Sequence, residues 1–288
     1  GKVALDDPVV KHLPDFRLKD SRYTSITVRM LLNHSSGMLG TDYTTGIVYG
    51  SYDTNYYDQL RAYFEKSVLK RDPGTFSVYC NDGFEVAELL VARVSGMPFD
   101  QYVTEKLFKP LGLSSAGYAK RSFAPGSYAV EGNLPQEFPN VMGSGGISIS
   151  LIDLARFGTI FLSGGGGALQ PASLSEMNRP QGKTFIAEDT AATMFGLGWD
   201  NVSPTFDDFD FGTGVLLKSG GTSQFTSYLY VIPRYTISAS ISVTMDFTGD
   251  ISATLREIVA RVLRAQGVET ARQPAVYTPL QAQPLPTG

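Results

Sequence analysis

Residues 215–219, 225–232 and 236–245 form three successive runs rich in β-branched and aromatic side chains, with Pro233 and Arg234 between the last two. Runs of this composition joined by short turns predict consecutive antiparallel strands. A sheet with an apolar face has to be covered, so the rest of the chain must supply its partner layer. The earlier sequence has helical periodicity. Residues 27–34 (TVRMLLNH) predict a short helix with Thr27 as N-cap, Val28, Leu31 and Leu32 on one face, and Ser36-Gly37 as its stop. A second helix is expected over 55–69, ended by Arg71-Asp72-Pro73-Gly74, and a third, apolar around much of its circumference, over 83–95. Pro98 opens another over 98–108, closed by Pro110-Leu111-Gly112.

Ser150 and Asp153 make a capping-box-like start to a helix over 151–162, with Leu151, Leu154, Ala155 and Phe161 as its inner face. Asp250 caps a final amphipathic helix carrying Ile251, Leu255, Ile258, Val259 and Val262, and 267–288 is a Pro/Gln/Thr tail without periodicity, expected to be flexible. The expected class is α+β: a mainly helical lobe over 1–182, antiparallel strands with a closing helix over 183–266, and a cleft between them, acting as one functional unit.

At 288 residues the chain can bury roughly three quarters of its unfolded surface. A net charge of −4, with basic residues scattered along the sequence, argues against nucleic acid as a partner, and no apolar run approaches the length of a membrane span. Cys80 is the single cysteine, and His12 and His34 are too few for an all-protein zinc site. No cofactor or metal is expected.

Two short motifs hold candidate chemistry. Tyr79-Cys80-Asn81 stands immediately before the apolar helix, so its polar side chains lie at a helix entrance. By itself the triplet reads as a packing aromatic beside an Asn cap. Lys218-Ser219-Gly220-Gly221 lies along a predicted strand, where alternation sends Lys218 and Gly220 to one face and Ser219 to the other. A lysine there is more often an edge or solvent residue.

The surroundings make these motifs specific. The blocks GKVALDDPVVKHLP (1–14), ITVRMLLNHSSGM (26–38), PGTFSVYCNDGFEVAELL (73–90), MPFDQYVTEKLFKPLGLSSAGY (97–118), GSGGISISLIDLARF (143–157), FGLGW (195–199) and KSGGTSQFTSYLYVIP (218–233) follow one another in order. Over about 1–265 the chain resembles the penicillin-binding and class C β-lactamase-like serine hydrolases. The resemblance implies a β-lactamase/transpeptidase-like fold and an acyl-enzyme mechanism. It assigns proton transfer to Tyr79, substrate contact to Asn81, Ser219 and Gly220, a cation to Lys218 and an oxyanion-hole N–H to Gly221. A serine hydroxyl needs a base, and a phenol serves only when cations lower its ordinary pKa of about 10.

The family's Ser-x-x-Lys motif, which carries the nucleophile, precedes the GKxxLDDPV block. It is therefore expected upstream of Gly1, together with strands that complete the sheet, and the chain alone is expected to be inactive. A non-catalytic homologue that has lost its serine is the rival expectation. Ser67-Val68-Leu69-Lys70 has the same spacing, but at the end of a helix and in the wrong order, and reads as a surface pair. His34 reads as a structural, hydrogen-bonded histidine and Cys80 as an inert buried thiol. The retained Lys218 favours D-amino-acid peptides or β-lactams over neutral esters, whereas Asp246, where many relatives have Asn, weighs against an anionic ligand. The partners implied are a small peptide, β-lactam or ester substrate, and the resemblance suggests a secreted or periplasmic protein. Oligomeric state is not legible.

Overall fold

The computed structural model describes residues 1–41, 45–123, 134–181, 194–206, 208–244 and 247–270. The first helices are α1 (Val9–His12) and, after a 3-10 turn over Ser21–Ser25, α2 (Val28–Leu32). Thr27 caps α2 by accepting the Met30 N–H on its hydroxyl at 3.3 Å. Strand β1 (Ile47–Tyr49) is followed by α3 (Tyr56–Lys66), α4 (Asn81–Ser95) and α5 (Phe99–Val103), which runs directly into a π-helical turn at Thr104–Phe108. Three short strands come next, β2 (Gly117–Tyr118), β3 (Glu137–Pro139) and β4 (Ile147–Ser148); β1 pairs with β3 and β2 with β4, both antiparallel.

Helices α6 (Leu151–Thr159) and α7 (Pro171–Asn178) lead to β5 (Leu216–Gly221), β6 (Phe225–Ile232), β7 (Ile237–Thr244) and α8 (Ile251–Ala265). The last three strands form one antiparallel sheet in the order β5-β6-β7, with Lys218 opposite Leu229 and Tyr230 opposite Ala239. The turn between β6 and β7 is a 3-10 turn, Pro233–Tyr235, closed by Thr236 at φ 57°.

The α+β expectation stands, with the sheet held between two helices. Alternation sends Leu216, Leu229 and Val231 to one face, where they pack with Trp199, Phe157 and Phe161, and sends Val215, Tyr230 and Ile232 to the other, against Leu255, Val259 and Leu263 of α8. Helix α6 lies so close to β7 that a Cβ at Gly158 would stand 2.0 Å from Ser238 Oγ. A separate core around Val9, Ile26, Leu31, Leu60, Val86 and Leu90 fills the helical part. There α2 crosses α4 at Gly83, where a Cβ would come 2.9 Å from Leu31 O.

Several expectations are corrected. Helix α3 stops at Lys66 rather than at Leu69, because Ser67 turns to extended backbone at ψ 146° and caps the helix. The 98–108 helix is broken by its π turn, and Pro98 is the cap rather than the first helical residue. Leu151 is exposed, not part of the inner face of α6. On α8 the buried stripe runs Ile251, Leu255, Val259, Leu263, while Ile258 and Val262 face outward. Helix α7 was not anticipated. Asp246, the 182/183 boundary and residues 271–288 of the tail lie outside the described residues.

Candidate active site

The turn that presents Tyr79 is fixed from behind by His34. Immediately after α2, His34 takes a left-handed conformation at φ 61°, costly for a residue with a side chain. That conformation lets its main-chain carbonyl accept the Val78 N–H and its Nδ1 accept the Cys80 N–H, both at 2.9 Å. The imidazole stacks on the Tyr79 ring, with centroids 4.5 Å apart, and packs against Phe84 and Phe195. Burial lowers the His34 pKa to about 4, Asp200 opposing and Lys218 reinforcing the shift. The ring is therefore neutral near pH 7, with Nδ1 as acceptor and the proton on Nε2.

Tyr79 itself is 44% exposed and faces the cleft one residue before the cap of α4, at the positive end of the helix dipole. Asn81 is the first residue of α4, and its amide donates to Thr41 Oγ1 at 2.9 Å. The buried Asp82 accepts the Gly40 N–H and the Tyr63 hydroxyl, both at 3.0 Å. Segment 36–41 is thus strapped across the entrance of α4. Cys80 is buried, and desolvation pushes its thiol pKa up, so the thiolate is disfavoured.

On the opposite wall, Lys218 Nζ stands 5.5 Å from the centre of the Tyr79 ring. It is not a free cation. Its ammonium donates to Asp200 Oδ1 at 2.9 Å and to Ser219 O at 2.6 Å. The other Asp200 oxygen accepts the Ser219 N–H at 2.7 Å and the Ser219 hydroxyl at 2.6 Å. Lys218 and Ser219 start on opposite faces of β5, yet both side chains bend around its edge to the same carboxylate.

The ladder also sorts the two glycines. Thr222 N–H donates to Phe225 O, so even-numbered residues of β5 turn their main-chain groups toward β6. Leu217 and Ser219 donate instead to Asn201 O and Asp200, at the outer edge. Alternation directs the Gly221 N–H to that edge as well. The polar groups of Gly220 belong to the β5–β6 ladder, and what it offers is a missing side chain: a Cβ there would meet Ser227 Oγ at 2.8 Å.

The structure thus brings Tyr79 and Lys218 together, with Asn81 at the start of α4 and Ser219, Gly220 and Gly221 along β5, and on the α6 side Lys218, Ser219 and Gly220 border an apolar cavity of about 230 Å³ lined by Phe157, Phe161 and Trp199. Ser67 and Lys70 are elsewhere. Ser67 is buried, which corrects its reading as a surface residue, and its hydroxyl donates to Tyr63 O at 2.8 Å, while Lys70 Nζ donates to Leu39 O at 3.1 Å.

Two features escaped sequence reasoning. Asp200 follows the FGLGW block by one residue, and an acidic residue next to a buried Trp was the available signal. Glu85 and Glu88 are both buried on α4, one turn apart. Glu85 accepts from the Tyr56 hydroxyl and the Ser144 N–H at 3.0 Å each; Glu88 accepts from the Tyr57 hydroxyl and, at 2.6 Å, the Gly143 N–H. Burial pushes both carboxyls well above the ordinary carboxylate range, and for Glu85 the neighbouring Glu88 adds to the rise. Among the described residues no group of three His, Cys, Asp or Glu could hold a metal ion, and no helix is long and apolar enough to cross a membrane.

A helical lobe facing an antiparallel sheet between helices, with Tyr-x-Asn and Lys-Ser-Gly motifs on opposite walls, is the architecture of the penicillin-recognising serine hydrolases. The Beta-lactamase family profile matches residues 1–264, and the chain belongs to that family. It is 30% identical over 174 residues to PbpX of Bacillus subtilis (strain 168), covering 57% of this chain and 41% of PbpX. It is 26% identical over 270 residues to the D-alanyl-D-alanine-carboxypeptidase/endopeptidase AmpH of Escherichia coli (strain K12), covering 85% of this chain and 65% of AmpH. The chain thus spans less than two thirds of either relative. The crystal structure of a D-stereospecific amidohydrolase from Streptomyces sp. shares the fold, with a TM-score of 0.66, 24% identity, and coverage of 89% of this chain and 79% of that one.

Proposed function

We propose that the cleft between Tyr79 and the outer edge of β5 serves serine acyl transfer, the hydrolysis of small D-amino-acid peptides or β-lactams through an acyl-enzyme. The observation that carries this reading is Lys218 Nζ poised 5.5 Å from the centre of the Tyr79 ring, on the strand whose edge also presents the Gly221 N–H. Tyr79 takes the proton of an attacking serine hydroxyl and returns it to the leaving group. Lys218, held by Asp200, stands beside the Tyr79 ring and has one N–H left to donate into the cleft. Gly221 N–H is one of the two donors that hold the oxyanion of the tetrahedral intermediate. Asn81, Ser219 and Gly220 frame the substrate.

The attacking serine is that of the Ser-x-x-Lys segment which the family resemblance places ahead of the 1–14 block. Its oxygen bonds to the carbonyl carbon, the amine or alcohol leaves with the proton from Tyr79, and water reverses the sequence to free the acid. AmpH, named as a carboxypeptidase and endopeptidase of D-alanyl-D-alanine, supports a D-peptide substrate. A location outside the cytoplasmic membrane agrees with that substrate. A second reading, hydrolysis of neutral esters, is favoured by the pairing of Lys218 with Asp200.

The test is to express the whole reading frame that encodes these residues and treat it with a fluorescent penicillin and an activated ester. Tyr79→Phe should lower acylation by about 10²–10⁴-fold while the thermal transition stays in place. A product that neither reagent acylates, or a Tyr79→Phe variant that acylates at the original rate, would sink the reading.

A further inference from the structure

We propose that Asp200 is a built-in occupant of an anion subsite formed by Lys218 and Ser219, and that it makes the cleft select ligands uncharged at this point over ligands bearing a carboxylate. The inference rests on reading the Tyr79–β5 cleft as the substrate site, and narrows that reading to peptide amides and esters that carry no carboxylate at this point.

An ammonium, a main-chain N–H and a hydroxyl converge on one carboxylate within 2.6–2.9 Å. Three donors of this kind form an anion-binding site by their chemistry alone. Here the anion is part of the protein. Asp200 is 8% exposed, and it is anchored rather than free to swing: its own N–H donates to Leu217 O at 3.0 Å, and the next residue, Asn201, bridges to Leu217 in both directions.

The occupancy has two effects on an incoming ligand. The hydroxyl hydrogen of Ser219 is committed to Asp200, and two of the three Lys218 N–H groups are committed to Asp200 and Ser219 O, so few donors remain for a second anion. The ammonium charge is also balanced in place, so a ligand carboxylate approaching Lys218 meets the charge of Asp200 at the same distance scale. His34, the nearby ring, brings no positive charge near pH 7. A primary amide or an ester carries no net charge and can accept the remaining Lys218 N–H, and an amide can donate to a carboxylate oxygen of Asp200. Desolvating a neutral group there costs far less than desolvating an anion without a free cation.

The experiment measures binding, so it does not depend on the acylation step. N-acetyl-D-alanyl-D-alanine and its C-terminal amide are titrated into the product of the whole reading frame near neutral pH, once a cooperative thermal transition has been verified, with calorimetry or NMR shift changes giving Kd. The unaltered chain is expected to bind the amide about ten-fold or more tightly than the acid. Asp200→Asn keeps the shape and removes the charge, and is expected to tighten acid binding by about ten-fold while amide binding moves by less than about three-fold. Asp200→Ala, checked for an intact thermal transition, should shift the preference in the same direction. Acid bound as tightly as amide by the unaltered chain overturns this inference whatever the variants do, and leaves the reading of the cleft standing. Binding of neither ligand overturns both together.

Discussion

The imidazole of His34 lies 4.5 Å from the ring of Tyr79, their planes inclined by 29°, while its Nδ1 accepts the Cys80 N–H one residue further along. One buried side chain therefore sets both the backbone and the ring of the turn that opens α4. His34→Ala would leave the buried Cys80 N–H without an acceptor and open a void beneath Tyr79. A loss of about 2–4 kcal/mol is expected in urea unfolding. A change below about 0.5 kcal/mol would show that the turn is held by other contacts.

The same residue gives stability a pH dependence with a definite sign. Folding lowers its pKa from the ordinary 6.5 to about 4, so between those values the unfolded chain binds a proton that the folded chain does not. This contribution is fully present above about pH 6.5 and is lost as pH falls toward about 4, on the order of 3 kcal/mol in all. Urea midpoints for the parent and His34→Gln across this range should converge toward acid pH.

Glu85 and Glu88 work in the opposite sense. Both carboxyls hold protons in the folded state at pH values where the unfolded chain has released them, so stability falls as pH rises through their raised values. The melting temperature should drop as pH rises from about 6.5, where the opposing His34 contribution is complete, to about 8, and Glu85→Gln should flatten that drop. A parent protein insensitive to pH over this interval would show that the pair is relieved by movement of the 143–144 backbone.

Gly143 is closed to any side chain. A Cβ there would stand 2.2 Å from Phe84 O and 2.8 Å from Glu88 Cβ, and both belong to α4. Gly143→Ala is expected to cost about 2 kcal/mol or more, through displacement of the loop and its bond to Glu88. Differential scanning calorimetry would register this as a lowered transition.

The two faces of α8 can be separated by substitution. Leu255→Ala empties a buried position and should cost about 2–5 kcal/mol, whereas Ile258→Lys, at a residue 48% exposed, should stay within about 0.5 kcal/mol. Comparable losses at both would place the helix in the wrong rotation.

What the sequence disclosed followed from local composition and capping residues. The strand 225–232 is found with the expected bounds because its run of β-branched and aromatic side chains ends at Pro233, and Thr27, Ser150 and Asp250 cap the helices they were expected to cap. Helix α7 was silent because Leu174 is its one buried side chain, too little to make an apolar stripe. The outward rotation of Ile258 and Val262 was hidden because either of two neighbouring stripes on α8 is apolar enough to be buried, and contact with the sheet decides between them. Asp200 was invisible for a different reason. It meets Lys218, 18 positions further along the chain, through the bridge between Asn201 and Leu217, and no local pattern records such a meeting. Glu85 and Glu88 defeat helical reading outright, since a periodicity argument assigns charged residues to water.

The close seating of α6 on β7 has a consequence for how such a sequence can diverge. Every single-base change that alters the meaning of a glycine codon introduces a side chain or a stop, and at Gly158 any side chain would collide with Ser238 Oγ. Ile152, on the same helix but 74% exposed, carries no such restriction. Among descendants of this gene, position 152 is free to drift while position 158 stays fixed, unless a compensating change on β7 arrives first.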